Sequence, residues 1–145
     1  MTEVAFHFNA PDKLAYACRL LRKASASGAK LVVTGEPGLL RQLDVALWTF
    51  SPLEFLPHCL GTSDAAVLAA SPIVLAEQVQ GTPHQQVLVN LSHAVPDGFE
   101  RFERLIEVVE DGDEAGRLSA RSRWKHYADR GYAITRHDLA AKGLN

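Results

Sequence analysis

The chain is constrained most by its punctuation: two short runs of β-branched and aromatic residues, each followed by a turn and then by apolar residues at helical spacing. Val4-Ala5-Phe6-His7-Phe8 reads as a strand, with Asn9, Pro11 and Asp12 supplying a turn and a helix start. Leu14, Cys18 and Leu21, with Ala17 and Leu20 beside them, predict a helix over residues 13–25 that stops at Gly28. Lys30-Leu31-Val32-Val33-Thr34 is a second short strand, broken by Gly35-Glu36-Pro37-Gly38, and Leu39, Leu40, Leu43, Ala46 and Leu47 mark a second helix ending before Pro52. Strands that alternate with helices at this spacing pair in parallel, because a helix supplies the crossover that a hairpin cannot.

Further strands fit residues 73–76 and 87–91, and a turn at Pro96-Asp97-Gly98 leads into a predicted helix over residues 99–107. A last helix is predicted from about residue 114 to 130, closed by Gly131, with an extended tail from Tyr132. At 145 residues, 47% of them hydrophobic, the chain can fill one core without disulfide or metal support. The expected architecture is therefore α/β: a single three-layer α/β/α domain, residues 1–145, with a mostly parallel sheet, Rossmann-like but without a nucleotide-binding loop.

That last qualification rests on the loops. Asn9-Ala10-Pro11-Asp12 after the first strand has no glycine, lacks one amide at Pro11, and carries a carboxylate that repels phosphate. Gly35-Glu36-Pro37-Gly38 has neither the lysine nor the Ser/Thr of a P-loop. His7, His58, His84, His93, His126 and His137 show no metal-ligand spacing, and no serine sits in a GxSxG elbow. Cys18 and Cys59 form no CxxC pair and read as small core residues. Glu107, Glu110, Asp111, Asp113 and Glu114 follow no metal-loop pattern and read as a solvated acidic surface at a helix start. No catalytic residue, metal or cofactor is expected. A small nucleotide-binding or hydrolytic α/β domain remains the rival reading. No apolar run spans a bilayer and the first residues lack signal-peptide character, so a cytoplasmic protein with no membrane contact is expected.

Two segments stand out. Trp48, Phe50, Phe55 and Leu56 crowd a proline-bounded connector running to Pro57 and His58, an unusual density of large apolar groups where chains normally meet water. Either these rings fold back over the core or they form an aromatic patch for a partner. In the last helix Arg117, Arg121, Trp124 and Lys125 stand at i, i+4, i+7 and i+8 and share one face. That stripe suits an acidic peptide, a carboxylate in an arginine fork, a few nucleotides of single-stranded nucleic acid, or plain solvent with Trp124 tucked inward. The formal charge of −2 conceals it: Asp97 to Glu114 holds eight acids and two bases, whereas Arg117 to Arg136 holds six bases and one acid. A protein that coats DNA with its whole surface is excluded.

Three blocks taken together resemble the chi-subunit family of bacterial DNA polymerase III, accessory proteins of the clamp-loader complex. They are Leu43-Asp44-x-Ala46-Leu47-Trp48 with Phe55-x-Pro57-His58; Val87-Leu88-Val89-Asn90-Leu91 with Phe99-Glu100-Arg101-Phe102; and Arg121-x-Arg123-Trp124-Lys125-x-Tyr127 with Gly131-Tyr132. The resemblance implies a non-catalytic α/β/α protein of DNA replication that links the clamp loader to the acidic C-terminal tail of the single-stranded-DNA-binding protein. It implies a tail site at Arg117, Arg121, Trp124 and Lys125, with Arg121 holding the terminal carboxylate. It also implies a second interface at Trp48, Phe55, Pro57 and His58 for the psi subunit, or for a helicase at the same patch. Contact with single-stranded DNA would then be indirect.

Overall fold

The computed structural model describes residues 1–49 and 56–140. Along the chain run β1 (Glu3–Ala10), α1 (Lys13–Ala26), β2 (Leu31–Thr34), α2 (Pro37–Thr49), β3 (Cys59–Leu60), α3 (Ala65–Ala70), β4 (Ile73–Leu75), β5 (Val87–Asn90), a 3-10 turn at Phe99–Arg101, β6 (Arg104–Glu110), α4 (Glu114–Asp129) and β7 (Ile134–Asp138). The seven strands form one sheet in the order β3-β4-β2-β5-β6-β1-β7. Every pairing is parallel, so the sheet is wholly rather than mostly so.

The two helical layers follow from the direction of travel. From β1 the chain moves one way along the sheet through α1 and α2, then reverses and moves the other way through α3, the 3-10 turn and α4. A crossover of fixed hand lays its helix on opposite faces when its direction reverses. Accordingly Ala17, Cys18 and Leu21 of α1 and Leu40, Leu43 and Leu47 of α2 pack on Leu31, Val33, Ile106 and Val108. Ala120 and Tyr127 of α4, with Phe99 and Phe102, pack on Val4, Phe6, Val32, Leu105 and Val109 on the other side. Leu21, Leu43 and Leu47 are fully or almost fully buried, each contributing about 2–3 kcal/mol by burial. Both cysteines are buried, and burial pushes the Cys18 thiol up, away from reactivity.

Residues 99–107 correct the expected helix: only Phe99–Arg101 winds, for one 3-10 turn, and Arg104–Glu110 is a central strand. Phe99, Phe102, Leu105 and Ile106 do recur at helical spacing. Yet β6 is covered on both faces, with Leu105, Glu107 and Val109 under α4 and Ile106 and Val108 under α1, and such strands read as almost unbroken apolar runs. Two short elements escaped the sequence reading altogether. β3 is two residues long at the sheet edge, and α3 has six residues with none buried, so neither carries a periodic signal. The tail from Tyr132, expected to be extended, supplies β7 alongside β1.

Candidate functional site

Helix α4 starts where the sequence changes sign. The Asp113 carboxylate accepts the Gly116 amide at 3.0 Å and Glu114 occupies the first turn, both favourable at the positive end of a helix. A Cβ at Gly116 would meet the Asp113 carboxylate oxygen at 2.3 Å, so a larger residue there would displace the capping side chain. Its buried positions are Gly116, Ala120, Arg123 and Tyr127, so the inner face has two small residues and two that carry polar groups.

Those two reach Glu107. Its side chain is fully buried beneath α4, where Arg123 Nε donates to Oε1 at 3.1 Å and Tyr127 Oη donates to Oε2 at 2.5 Å. Asn90 Nδ2, from the adjacent strand, donates to both oxygens at 3.0 and 3.1 Å. Arg123 Nη1 also donates to Ser119 Oγ at 2.6 Å, which donates to the His93 carbonyl at 2.6 Å, tying the loop after β5 to the helix. Burial pushes the Glu107 carboxyl above the usual carboxylate range, opposed by the Arg123 charge and by the three sets of donors. Burial and then the Glu107 charge raise the Tyr127 phenol in turn. Glu107 is thus no part of a solvated acidic surface, correcting that expectation; Asp111 and Glu114 are exposed, and Asp113 serves as the cap.

The predicted stripe occupies the opposite face. Arg117 and Lys125 are exposed and paired along the helix, with Glu114 at 3.1 Å and Asp129 at 3.3 Å. Arg121 is exposed and has no ion pair or hydrogen bond to a side chain among the described residues. Trp124 is half-buried. Its ring lies 5.0 Å from Phe6 of β1, and the Arg136 guanidinium of β7 lies 5.8 Å from its centroid. Arg117, Arg121 and Lys125 therefore share one exposed side of α4, bordered by an indole anchored on the sheet. Arg123, embedded in the same sequence run, does not belong with them. Its phase with Gly116, Ala120 and Tyr127 is the signal that separates it, and Glu107 falls on the inner face by strand alternation.

At the end of α2, Trp48 is 56% exposed and Val45 one turn earlier is 62% exposed, so the indole does not fold over the core. Its ring lies 4.8 Å from that of His58, tilted at 57° to it; His58 is itself buried, with Nδ1 facing the Leu56 carbonyl at 2.7 Å and Nε2 facing the Asp44 carboxylate at 3.1 Å. Pro57 is exposed and Phe55 lies outside the described residues. Trp48 is therefore propped outward by a histidine pinned at both nitrogens.

The strand ends that would hold a nucleotide in a related topology are otherwise engaged. At the start of α1, Asp12 accepts the Ala15 amide at 3.1 Å and Glu110 accepts the Lys13 amide at 2.7 Å. Two carboxylates take the place that a phosphate would need. Lys13 itself donates from Nζ to the Leu91 carbonyl at 2.8 Å, and burial followed by the nearby Arg123 charge lowers its pKa. Among the described residues no group of three His, Cys, Asp or Glu side chains is placed to hold a metal ion, and no helix is long and apolar enough to cross a membrane.

Residues 1–135 match the family described as DNA polymerase III chi subunit, HolC. The chain belongs to the DNA polymerase III chi-subunit family. It is 30% identical over 144 residues to DNA polymerase III subunit chi of Pseudomonas aeruginosa, covering 96% of this chain and 98% of that protein. It is 28% identical over 125 residues to the subunit chi of Haemophilus influenzae, covering 85% of each. The match runs through the α4 stripe, Trp48 and the buried Glu107 cluster. Membership places the protein in DNA replication as an accessory component of DNA polymerase III.

Proposed function

We propose that this chi-family protein is a non-catalytic adaptor whose α4 face grips the acidic C-terminal tail of the single-stranded-DNA-binding protein, while the Trp48 patch engages the clamp loader through psi or, at the same surface, a helicase. The observation that carries the reading is Arg121: an exposed guanidinium with no side-chain partner among the described residues, one turn from an indole whose apolar ring packs on Phe6. An arginine fork beside an apolar wall suits a terminal carboxylate next to an apolar side chain. Arg117 and Lys125, already paired with exposed carboxylates, add positive potential that exchanges easily for acidic residues of a ligand. The Trp48 surface fits the second role because a large exposed aromatic backed by a fixed histidine is the composition of an interface anchor. Function is then tethering, in which many weak tail contacts on coated DNA raise the local concentration of the polymerase.

The test is a fluorescence anisotropy titration with an acidic peptide ending in Phe, alongside the same peptide amidated at its C-terminus. Arg121→Ala is expected to weaken the free-acid peptide about 10- to 100-fold, the size of one charge-assisted contact, and to abolish discrimination against the amide. Equal affinity of the unaltered protein for acid and amide would overturn carboxylate capture.

A further inference from the structure

Arg136 was not among the residues expected at the tail site, and its surroundings set it apart from the other cations. It is the middle residue of β7, the outermost strand on its side of the sheet, in register with Phe6 of β1. Its guanidinium carbon lies 5.4 Å from the Phe8 ring and 5.8 Å from the Trp124 ring. Phe6, Phe8 and Trp124 thus make an aromatic bed, and Arg136 rests on two of its three rings. The residue is exposed, and no carboxylate of the described residues lies within ion-pair distance of it. Asp138, two residues further along the same strand, receives hydrogen bonds from Asn9 Nδ2 at 2.9 Å and the Ala140 amide at 3.1 Å.

A guanidinium held beside aromatic rings by cation–π attraction still carries N–H groups in the plane of its fork, where a carboxylate can take two of them. Arg121 and Arg136 then flank Trp124 from different elements, one on the helix and one on the edge strand. Arg121 to Trp124 is about 4.5 Å along the helix axis, and the further step to Arg136 is a ring contact. The whole span is within reach of about three or four extended peptide residues.

Resting on the tail-binding reading above, we propose that Arg136 is a second acid-binding residue of the same site: it takes an acidic side chain upstream of the C-terminus while Arg121 takes the terminal carboxylate. The ligand passes over Trp124 from α4 onto β7 in extended form. An outermost strand offers backbone donors and acceptors to an extended peptide and none that match a sugar-phosphate chain, which favours a peptide over a nucleic acid. The acidic stretch before α4 also repels phosphates, whereas a short tail can keep clear of it.

A double-mutant cycle tests this in the full-length protein. Two labelled nine-residue peptides, both with a free C-terminal Phe, carry either three Asp or three Asn in their upstream half. Arg136→Gln is expected to weaken the Asp peptide about five- to tenfold and leave the Asn peptide unchanged, with Arg136→Lys in between. Loss of the guanidinium beside the indole is also expected to shift the Trp124 emission, measured in a Trp48→Phe background so that one indole reports. Equal weakening of both peptides, or of neither, would overturn the proposal even where Arg121→Ala behaves as a carboxylate holder. Absence of acid-over-amide discrimination would instead remove the underlying reading. An unlabelled oligo-dT competitor that displaces the peptide only when Arg136 is present would reassign the residue to nucleic acid and overturn the proposal too.

Discussion

The two faces of α4 are built from the same residue types and do opposite work. Inward, Arg123 and Tyr127 meet a carboxylate that no water reaches, and Gly116 and Ala120 let the helix approach the sheet closely. Outward, Arg117, Arg121 and Lys125 meet solvent or a neighbouring surface carboxylate. An arginine is a strut or a hook according to what stands opposite it, and two residues along the helix change the answer from Arg121 to Arg123. The inner face fixes where the outer face stands. Beside the apolar packing of Ala120, Tyr127 and Trp124, the bonds to Glu107 fix the register of α4, and with it the placement of Trp124 over β1.

The largest effect that would break this comparison is at Glu107. Glu107→Ala leaves the buried Arg123 charge without its carboxylate, with only Ser119 Oγ still accepting from it among the described residues, and removes the acceptor of Tyr127 Oη, so a loss of about 3–5 kcal/mol is expected. For a domain of this size that lowers Tm by about 10 °C or more in calorimetry. Arg121→Ala, two positions from Arg123, is expected to change stability by less than about 0.5 kcal/mol. If the two variants melt alike, the division of the helix into support and site is wrong.

A second, smaller effect sharpens it through pH. Burial raises the Glu107 carboxyl in the folded protein, so the native state holds that proton more tightly than the unfolded chain does. The contribution is therefore fully present below the unfolded value, about pH 4, and is lost as pH rises from there through the raised native value. Glu107→Gln removes this titration while keeping the shape and one acceptor. Melting both proteins from pH 4 upward should show the unaltered protein losing stability relative to Glu107→Gln as pH increases. A difference that stays constant across that range would mean that Glu107 is held with its ordinary affinity for protons.

How much of this was legible in the sequence depends on periodicity. Helices α1, α2 and α4 each present one repeating face, and β1 and β2 are short β-branched and aromatic runs cut off by turn residues, so each was legible to within a few residues. Strand β6 was not, because burial on both sides erases the alternation that marks a strand, and Phe99, Phe102 and Leu105 then imitate a helix. The same error hid the Glu107 cluster, since a glutamate at the end of a supposed helix beside Glu110 and Asp111 looks like solvated surface. Arg136 was hidden for another reason. Its role comes from a pairing between β1 and β7, separated by some 130 residues, and no local pattern announces which strand will lie beside Phe6. The outward stripe was legible because it needs only one helix. Trp48 was legible as a composition and ambiguous as a direction, until His58 was seen to be pinned between Leu56 and Asp44.

The smallest expected effect concerns Lys125 and Asp129, an exposed i, i+4 pair with the lysine on the N-terminal side, the less favourable order. Such a pair contributes at most about 0.3–0.5 kcal/mol to a helix and less in salt. If the outer face is a site rather than a structural surface, Asp129 matters to ligand binding instead: it occupies Lys125 and adds a negative charge that an acidic tail must approach. Asp129→Asn is therefore expected to leave Tm unchanged and to tighten binding of the acidic peptide about twofold at low salt, an advantage that shrinks as ionic strength rises and the Debye length falls. A lowered Tm with no gain in affinity would mean that the pair supports the helix. The outer face would then share the structural work assigned to Glu107, Arg123 and Tyr127.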